Sequence, residues 1–368
     1  MKYYIIAGEA SGDLHGSNLI RALKARDSEA DIRFWGGDLM AAAGGTMVKS
    51  IRDLAYMGYV EVLSHAGEIL RNIRFCKKDI VQFNPDVVVF IDYPGFNLRM
   101  AKFTHDKGYY NVYYISPQVW AWKKGRIKAM RKTVARLCCI LPFEQQFYVD
   151  AHFPQATYVG HPLLDEVARF RASGQEPDTD ERPLIALLPG SRKQEVRKML
   201  PVMMQLAAHR KEYRYEVAAM SLLGTECYEP LLANKPDNVT VRYDATYEIL
   251  SRARAAVVCS GTATLEAALF RVPQVVCYSA NLLSIFIAGT MLHIKYISLV
   301  NLIADQPVVR ELIQTDFNLA TLDSELRLVA NDGPQRNKML DAYDQIINLL
   351  GHQGASDRVA QECLRARN

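Results

Sequence analysis

Short apolar runs punctuate the chain: YYIIA (3–7), DIRFW (31–35), VVVFI (87–91), NVYYI (111–115), RLCCIL (136–141), LIALL (184–188), YEVAA (215–219), AAVVC (255–259) and QVVCY (274–278). Unbroken runs of β-branched and aromatic residues belong to strands buried on both faces. Longer stretches of helical period separate them, and that alternation predicts parallel, doubly wound sheets. From 169 to 183, RFRASGQEPDTDERP carries charge, proline and glycine with no apolar period, as a linker does. The pattern therefore predicts two Rossmann-like α/β domains facing a cleft, residues 1–168 and 184–349, joined by 169–183. The last stretch reads as two helices broken between Gly351 and Gly354, and residues 350–368 are assigned back to the first domain.

In such folds ligands sit at the carboxyl ends of the strands. Four loops fall there: GEASGD (8–13), DYPGFN (92–97), PGSR (189–192) and CSGTATLE (259–266). Gly190, Ser191 and Arg192 stand at a helix mouth, where glycine permits close approach, the helix end favours an anion and arginine can clamp it. Ser260 and Gly261 form a second such turn, and Thr262 or Thr264 can cap the helix that follows. Glu266, about one turn inside, could accept the hydroxyls of a ribose or simply complement the helix dipole. Asp92 is delivered by VVVFI to a strand end, where lost hydration raises a carboxyl toward a base's working range. Its alternative is a cap for a helix beginning near Asn97.

Composition narrows the classes. At 368 residues, 49% hydrophobic and 23% charged, the chain is an ordinary two-domain globular protein, and a net charge of +4 implies no nucleic-acid partner. GEASGDLHG lacks the spacing of a dinucleotide loop, and no GK[ST] marks a P-loop. Asp178-Thr179-Asp180 spells a metal-type acidic pair, but in the polar linker it reads as a solvated charge run, so no metal is expected. The seven cysteines form no CxxC pair, which favours free thiols and a reducing cytoplasm. IIA is too short for a secretory signal, and Leu282–Val300 runs only 13 uncharged residues before Lys295, short of the ~20 a spanning helix needs.

GEASGD, LAYMGYVEVL (54–63), IDYPGFN (91–97), SPQVWAWKKGRI (116–127), LPFE (141–144), GHPLLD (160–165), LPGSR (188–192) and SGTATLEAAL (260–269) together resemble the lipid-A-disaccharide synthase family, in order over most of the chain. The resemblance implies a GT-B glycosyltransferase. It would move 2,3-diacylglucosamine from UDP-2,3-diacylglucosamine to the 6-hydroxyl of 2,3-diacylglucosamine 1-phosphate (lipid X), with inversion, releasing UDP without metal or other cofactor. It also implies Asp92 as the base, Arg192 as the phosphate-binding arginine, Glu266 as the ribose acid and Asn301 as a functional asparagine. Glu9, Ser11, Asp13 and Met57 then fall to the acceptor side, where acids suit sugar hydroxyls and amides. Gly95 stands where members commonly carry a second acid, so no carboxylate dyad is expected in that loop. A UDP-sugar epimerase of the same fold and a catalytically silent nucleotide-sugar-binding scaffold remain the alternatives.

Acyl chains need an apolar surface. Val60, Leu63, Leu70 and Ile73 recur at near-helical spacing and could be core or lipid-facing. KKGRIKAMRKTVAR (123–136) carries a basic stripe, Lys124, Lys128, Lys132 and Arg136, opposite Ile127, Met130 and Val134. Unopposed basic charge favours an anionic surface. The expected partners are the two sugar substrates and the anionic inner face of the inner membrane of a Gram-negative bacterium, with a homodimer left open.

Overall fold

The computed structural model describes residues 1–53, 66–119, 125–174, 180–279 and 295–367. They divide into two compact units, Met1–Pro162 with His352–Asn368, and Leu163–Gly351.

The first unit holds β1 (Lys2–Ala7), β2 (Asp31–Gly36), β3 (Thr46–Ser50), β4 (Val87–Ile91), β5 (Tyr110–Tyr114), β6 (Arg136–Cys139) and β7 (Ala156–Tyr158). These make one seven-stranded sheet in the order β3-β2-β1-β4-β5-β6-β7, parallel throughout. Alternate side chains of β1 and β4 go to opposite faces. Tyr4, Ile6, Val88 and Phe90 enter one apolar cluster, and Tyr3, Ile5, Val87 and Val89 enter the other. The C-terminal helix Ala355–Leu364 closes the second face, burying Val359, Ala360 and Cys363 beside Leu19, Ile20 and Leu23 of the helix Ala10–Arg26. Arg358 Nε donates to Val159 O at 2.7 Å.

The second unit repeats the plan with β8 (Leu184–Leu188), β9 (Arg214–Ala219), β10 (Val239–Tyr243), β11 (Ala255–Cys259), β12 (Gln274–Tyr278) and β13 (Arg310–Ile313), in the order β10-β9-β8-β11-β12-β13. Every strand expected from an apolar run is present. The four that the pattern missed, β3, β7, β10 and β13, are the four edges of the two sheets. An edge strand has one open side and half-exposed side chains, so it needs no unbroken apolar run.

The division between units falls at Pro162/Leu163, not within 169–183. The period Leu163, Val167, Phe170 carries one helix, Leu163–Ala172, across the expected boundary. Phe170 meets Tyr247 and Phe270 edge-on, each at 5.7 Å between ring centroids. Arg171 Nη2 donates to Leu269 O at 2.8 Å, so this charged stretch belongs to the second unit.

Candidate functional site

In the first unit, Asp92 and Tyr93 follow β4 with φ of 44° and 50°, and Ile115 follows β5 with φ of 65°. Three non-glycine residues in the left-handed region at neighbouring strand ends each cost on the order of 1 kcal/mol or more, and such strain persists only where surrounding bonds impose it. Here they do. Asp92 N–H donates to Tyr114 O at 3.0 Å. Its carbonyl accepts from Asn97 Nδ2 at 2.8 Å and from the Tyr113 hydroxyl at 2.7 Å. The Tyr93 ring lies over Gly8, where an added Cβ would meet ring carbons at 2.4 Å, so the opening glycine is required for that packing.

The Asp92 carboxyl is pushed up to about 7, first by burial and second by the Glu9 carboxylate, against a hydrogen bond from the Tyr93 backbone. The helix begins at Pro94 with Tyr93 as its N-cap, so Asp92 is not a capping residue. With Gly95 in this loop, the acid that acts on Asp92 is Glu9, from the loop after β1. Among the described residues, nothing beyond its own helix and chain neighbours comes within 4 Å of where a Gly95 Cβ would stand.

GEASGD is mostly helix. Glu9 is the N-cap of Ala10–Arg26, and Glu9 and Ser11 are exposed at its start. Asp13 is buried and already committed: Oδ1 accepts from Gly37 N at 2.7 Å and Met40 N at 3.1 Å, and Oδ2 from Leu39 N at 3.1 Å. It clasps the start of the helix Asp38–Ala43 and is not a sugar-facing acid. Met57 lies outside the described residues.

In the second unit, Gly190 has φ of 114°, and Glu195 fills the turn it makes. Glu195 Oε2 accepts from Ser191 N at 2.9 Å and Arg192 N at 3.2 Å. The loop amides expected to meet phosphate are thus occupied by the chain's own carboxylate. The Arg192 side chain, 70% exposed, contacts Glu195 at 3.2 Å and, like the exposed Ser191 beside it, faces solvent. Glu195, three residues into the helix, reaches back to the N-cap amide of Arg192, which is one half of a capping box.

After β11, Ser260 Oγ donates to Ile297 O at 2.9 Å and Gly261 adopts φ of 155°. The helix Thr262–Leu269 has no side-chain cap, and Thr264 Oγ1 instead donates back to Gly261 O at 2.8 Å. Thr262 is exposed at the uncapped end. Glu266 accepts from the Tyr247 hydroxyl at 3.0 Å. Burial, with Glu166 adding to it, pushes its carboxyl up to about 7 against the Tyr247 bond. Asn301 is buried and tied to the chain entering β13: Nδ2 donates to Val309 O and Glu311 Oε1, both at 2.9 Å, and Oδ1 accepts from Val309 N at 2.9 Å. Both amide hydrogens are taken, and Oδ1 keeps a second lone pair.

Of the apolar and basic surface, Leu70 is 52% exposed while Ile73 is core, a correction for Ile73. Lys128 and Lys132 are exposed on the helix Arg126–Thr133, with Ile127 and Met130 buried beneath. The stripe ends there, because Arg136 lies in β6 and pairs with Glu362 at 2.8 Å. Val60, Leu63 and Lys124 lie outside the described residues. The residues that sequence reasoning missed are Tyr113 and Tyr247, whose hydroxyls reach Asp92 O and Glu266 respectively from segments with no motif to mark them.

A family model described as lipid-A-disaccharide synthetase matches residues 3–365. The chain is 38% identical over 370 residues to the lipid-A-disaccharide synthase of Syntrophus aciditrophicus, covering 97% of this chain and 95% of that protein. To that of Myxococcus xanthus it is 34% identical over 383 residues, covering 98% and 96%. Among solved structures, the kitacinnamycin glycotransferase matches with a TM-score of 0.69 at 14% identity, covering 99% of this chain and 98% of that one. The UDP-GlcNAc 2-epimerase of Neisseria meningitidis, bound to UDP-GlcNAc, matches with 0.68 at 11%, covering 99% and 100%. At such identities these two share the fold alone.

Proposed function

The chain belongs to the lipid-A-disaccharide synthase family, UDP-sugar glycosyltransferases that build the lipid A disaccharide, and on that premise we propose how its residues perform the transfer. The donor is UDP-2,3-diacylglucosamine and the acceptor 2,3-diacylglucosamine 1-phosphate. Asp92 takes the proton of the acceptor's 6-hydroxyl as that oxygen attacks C1 of the donor sugar. The bond from C1 to the UDP oxygen breaks, its electron pair leaves with UDP, and attack from the opposite face gives the β-1,6 linkage. A carboxyl held near 7 is matched to this task, since it is largely ionised just above neutrality yet basic enough to accept the proton.

Glu266 accepts the ribose hydroxyls, while Arg192 and the uncapped end of Thr262–Leu269 offset the charge that develops on UDP. The reading invokes no metal or other cofactor. Glu9 and Ser11 meet the acceptor sugar. Leu70, Phe75 and Val81 are exposed on the helix Ala66–Phe83 among the exposed Arg71, Arg74 and Lys78. This mixture, with Lys128 and Lys132, supports a surface that meets acylated substrates at an anionic membrane. No described helix is long and apolar enough to cross one.

The carrying observation is Asp92, strained, partly desolvated and beside Glu9. The test incubates the protein with diacylated UDP-glucosamine, with and without diacylglucosamine 1-phosphate, and weighs the products. UDP released in proportion to a disaccharide phosphate supports the transfer. Isomerised UDP-sugar formed without acceptor indicates an epimerase, and no turnover with retained UDP binding indicates a scaffold.

A further inference from the structure

The strands of the second sheet are parallel, so the ends by which the chain enters them lie opposite the Gly190 and Ser260 loops. A cavity of about 630 Å³ opens at that far end, where the chain enters β8, β9 and β11. Arg182, Arg214, Arg252, Arg254 and Arg336 line it. Arg214 and Arg252 are committed to Glu216, at 3.2 and 2.9 Å, and Arg182 to Asp180 at 2.9 Å.

Arg254 and Arg336 share the exposed carboxylate of Asp332. Arg254 Nε donates to Ala330 O at 2.8 Å, and Arg336 Nη1 donates to Arg254 O and Val329 O, both at 2.8 Å. Backbone carbonyls position a guanidinium without cancelling its charge. The carboxylate near both is Asp332, hydrogen-bonded to Arg254, 3.9 Å from Arg336 and 88% exposed. Burial, and then the Arg254 charge beside it, holds Arg336 below the ordinary arginine range. Two fixed guanidiniums sharing one solvated carboxylate at the wall of a cavity are preorganised for a planar or tetrahedral oxyanion.

We propose that this cavity binds a phosphate-bearing anion of metabolite size, with Arg254 and Arg336 as the gripping residues and Asp332 as the carboxylate it displaces. The site is separate from the strand-end loops assigned to UDP and does not depend on that assignment. The cavity has room for more than one inorganic phosphate, so pyrophosphate serves as the probe.

The test is calorimetric titration of the full chain with inorganic pyrophosphate at low salt, in an Arg192→Gln background that weakens any phosphate contact at the other end of the sheet. One binding event is expected, weakened about tenfold or more by Arg254→Gln or Arg336→Gln, as for loss of a charge-assisted pair. Since both arginines anchor carbonyls and those variants can fail to fold, Asp332→Asn is the second variant. Its side chain is exposed, and removing the competing carboxylate should tighten pyrophosphate several-fold. Absence of pyrophosphate binding overturns the proposal, as does unchanged affinity in folded Arg254→Gln or in Asp332→Asn, either of which leaves these arginines as helix-end fasteners.

Discussion

The buried Tyr113 hydroxyl donates to the backbone carbonyl of Asp92 at 2.7 Å, fixing the peptide whose strained turn aims the carboxyl. Asp92→Asn should therefore lower turnover by about 10²- to 10⁴-fold, the usual worth of a positioned base, with UDP affinity little changed. Because asparagine tolerates the left-handed region and carries no charge to desolvate, the variant should melt no lower than the parent. Steady-state kinetics beside calorimetric melting checks both. Near-normal turnover in the folded variant ends the base assignment.

Activity should follow the ionisation of Asp92. A base is competent only when unprotonated, so kcat/KM should rise with pH to a plateau through about 7. Since Glu9 is the second cause of the elevation, Glu9→Gln should move the midpoint down without restoring an ordinary aspartate. Stability runs the opposite way. The folded protein holds this proton more tightly than the unfolded chain, whose aspartate titrates near ~4, so the contribution of Asp92 is full below that value and is lost as pH rises toward 7. Denaturant melts at pH 5 and 8 should differ less in Asp92→Asn than in the parent.

UDP binding should report on Glu266 instead. Glu266→Ala should weaken UDP by roughly 1.5 to 3 kcal/mol, the scale of lost charge-assisted hydrogen bonds. Tyr247→Phe removes the bond that opposes the elevation, so the carboxyl should titrate higher still and UDP affinity at pH 7 should fall by about 1 kcal/mol, recovering at pH 8.5. Calorimetric titration at the two pH values decides it. Equal UDP affinity in Glu266→Ala would make it a helix-dipole acid.

Asp13 and Ser11 should separate structure from contact. Asp13→Ala leaves the Gly37, Leu39 and Met40 amides without their carboxylate and should cost about 2 kcal/mol of stability in denaturant unfolding. Ser11→Ala, at an exposed position, should leave stability within about 0.5 kcal/mol and raise KM for the acceptor. A stable Asp13→Ala protein would return that residue to the acceptor side.

The helix Ala66–Phe83 gives a matched pair. Leu70→Ser with Phe75→Ser should keep the fold and weaken binding to anionic vesicles, whereas Ile73→Ser should lower stability by about 2 to 4 kcal/mol. Co-sedimentation alongside thermal melting reads both. Unchanged vesicle binding in the double variant would make the exposed side chains incidental.

Much of this architecture was legible because interior strands are apolar on both faces: VVVFI, LIALL, AAVVC and QVVCY became β4, β8, β11 and β12 residue for residue. Edge strands such as VTVRY, half wet, gave no such run. Asp92 and Glu266 could be picked out because each stands at a strand end or in the first turns of a helix, a relation along the chain. The internal bonds of Asp13 and Asn301 could not be read this way, because they go to amides and carbonyls of other segments. Spacing says which side chains lie near a loop. It does not say whether their lone pairs are already taken.

The returning helix Ala355–Leu364 bears on the order in which this protein assembles during synthesis. Leu163–Gly351 is continuous in the chain and can fold as soon as it has left the ribosome. The unit that begins at Met1 cannot be complete then, since Val359, Ala360 and Cys363 fill its second apolar face and Arg26 awaits Asp357, 2.6 Å away in the finished protein. Asp92 and Glu9 therefore emerge early but reach their final setting last. A nascent chain arrested before position 352 should bind UDP while remaining open to protease in its first 162 residues.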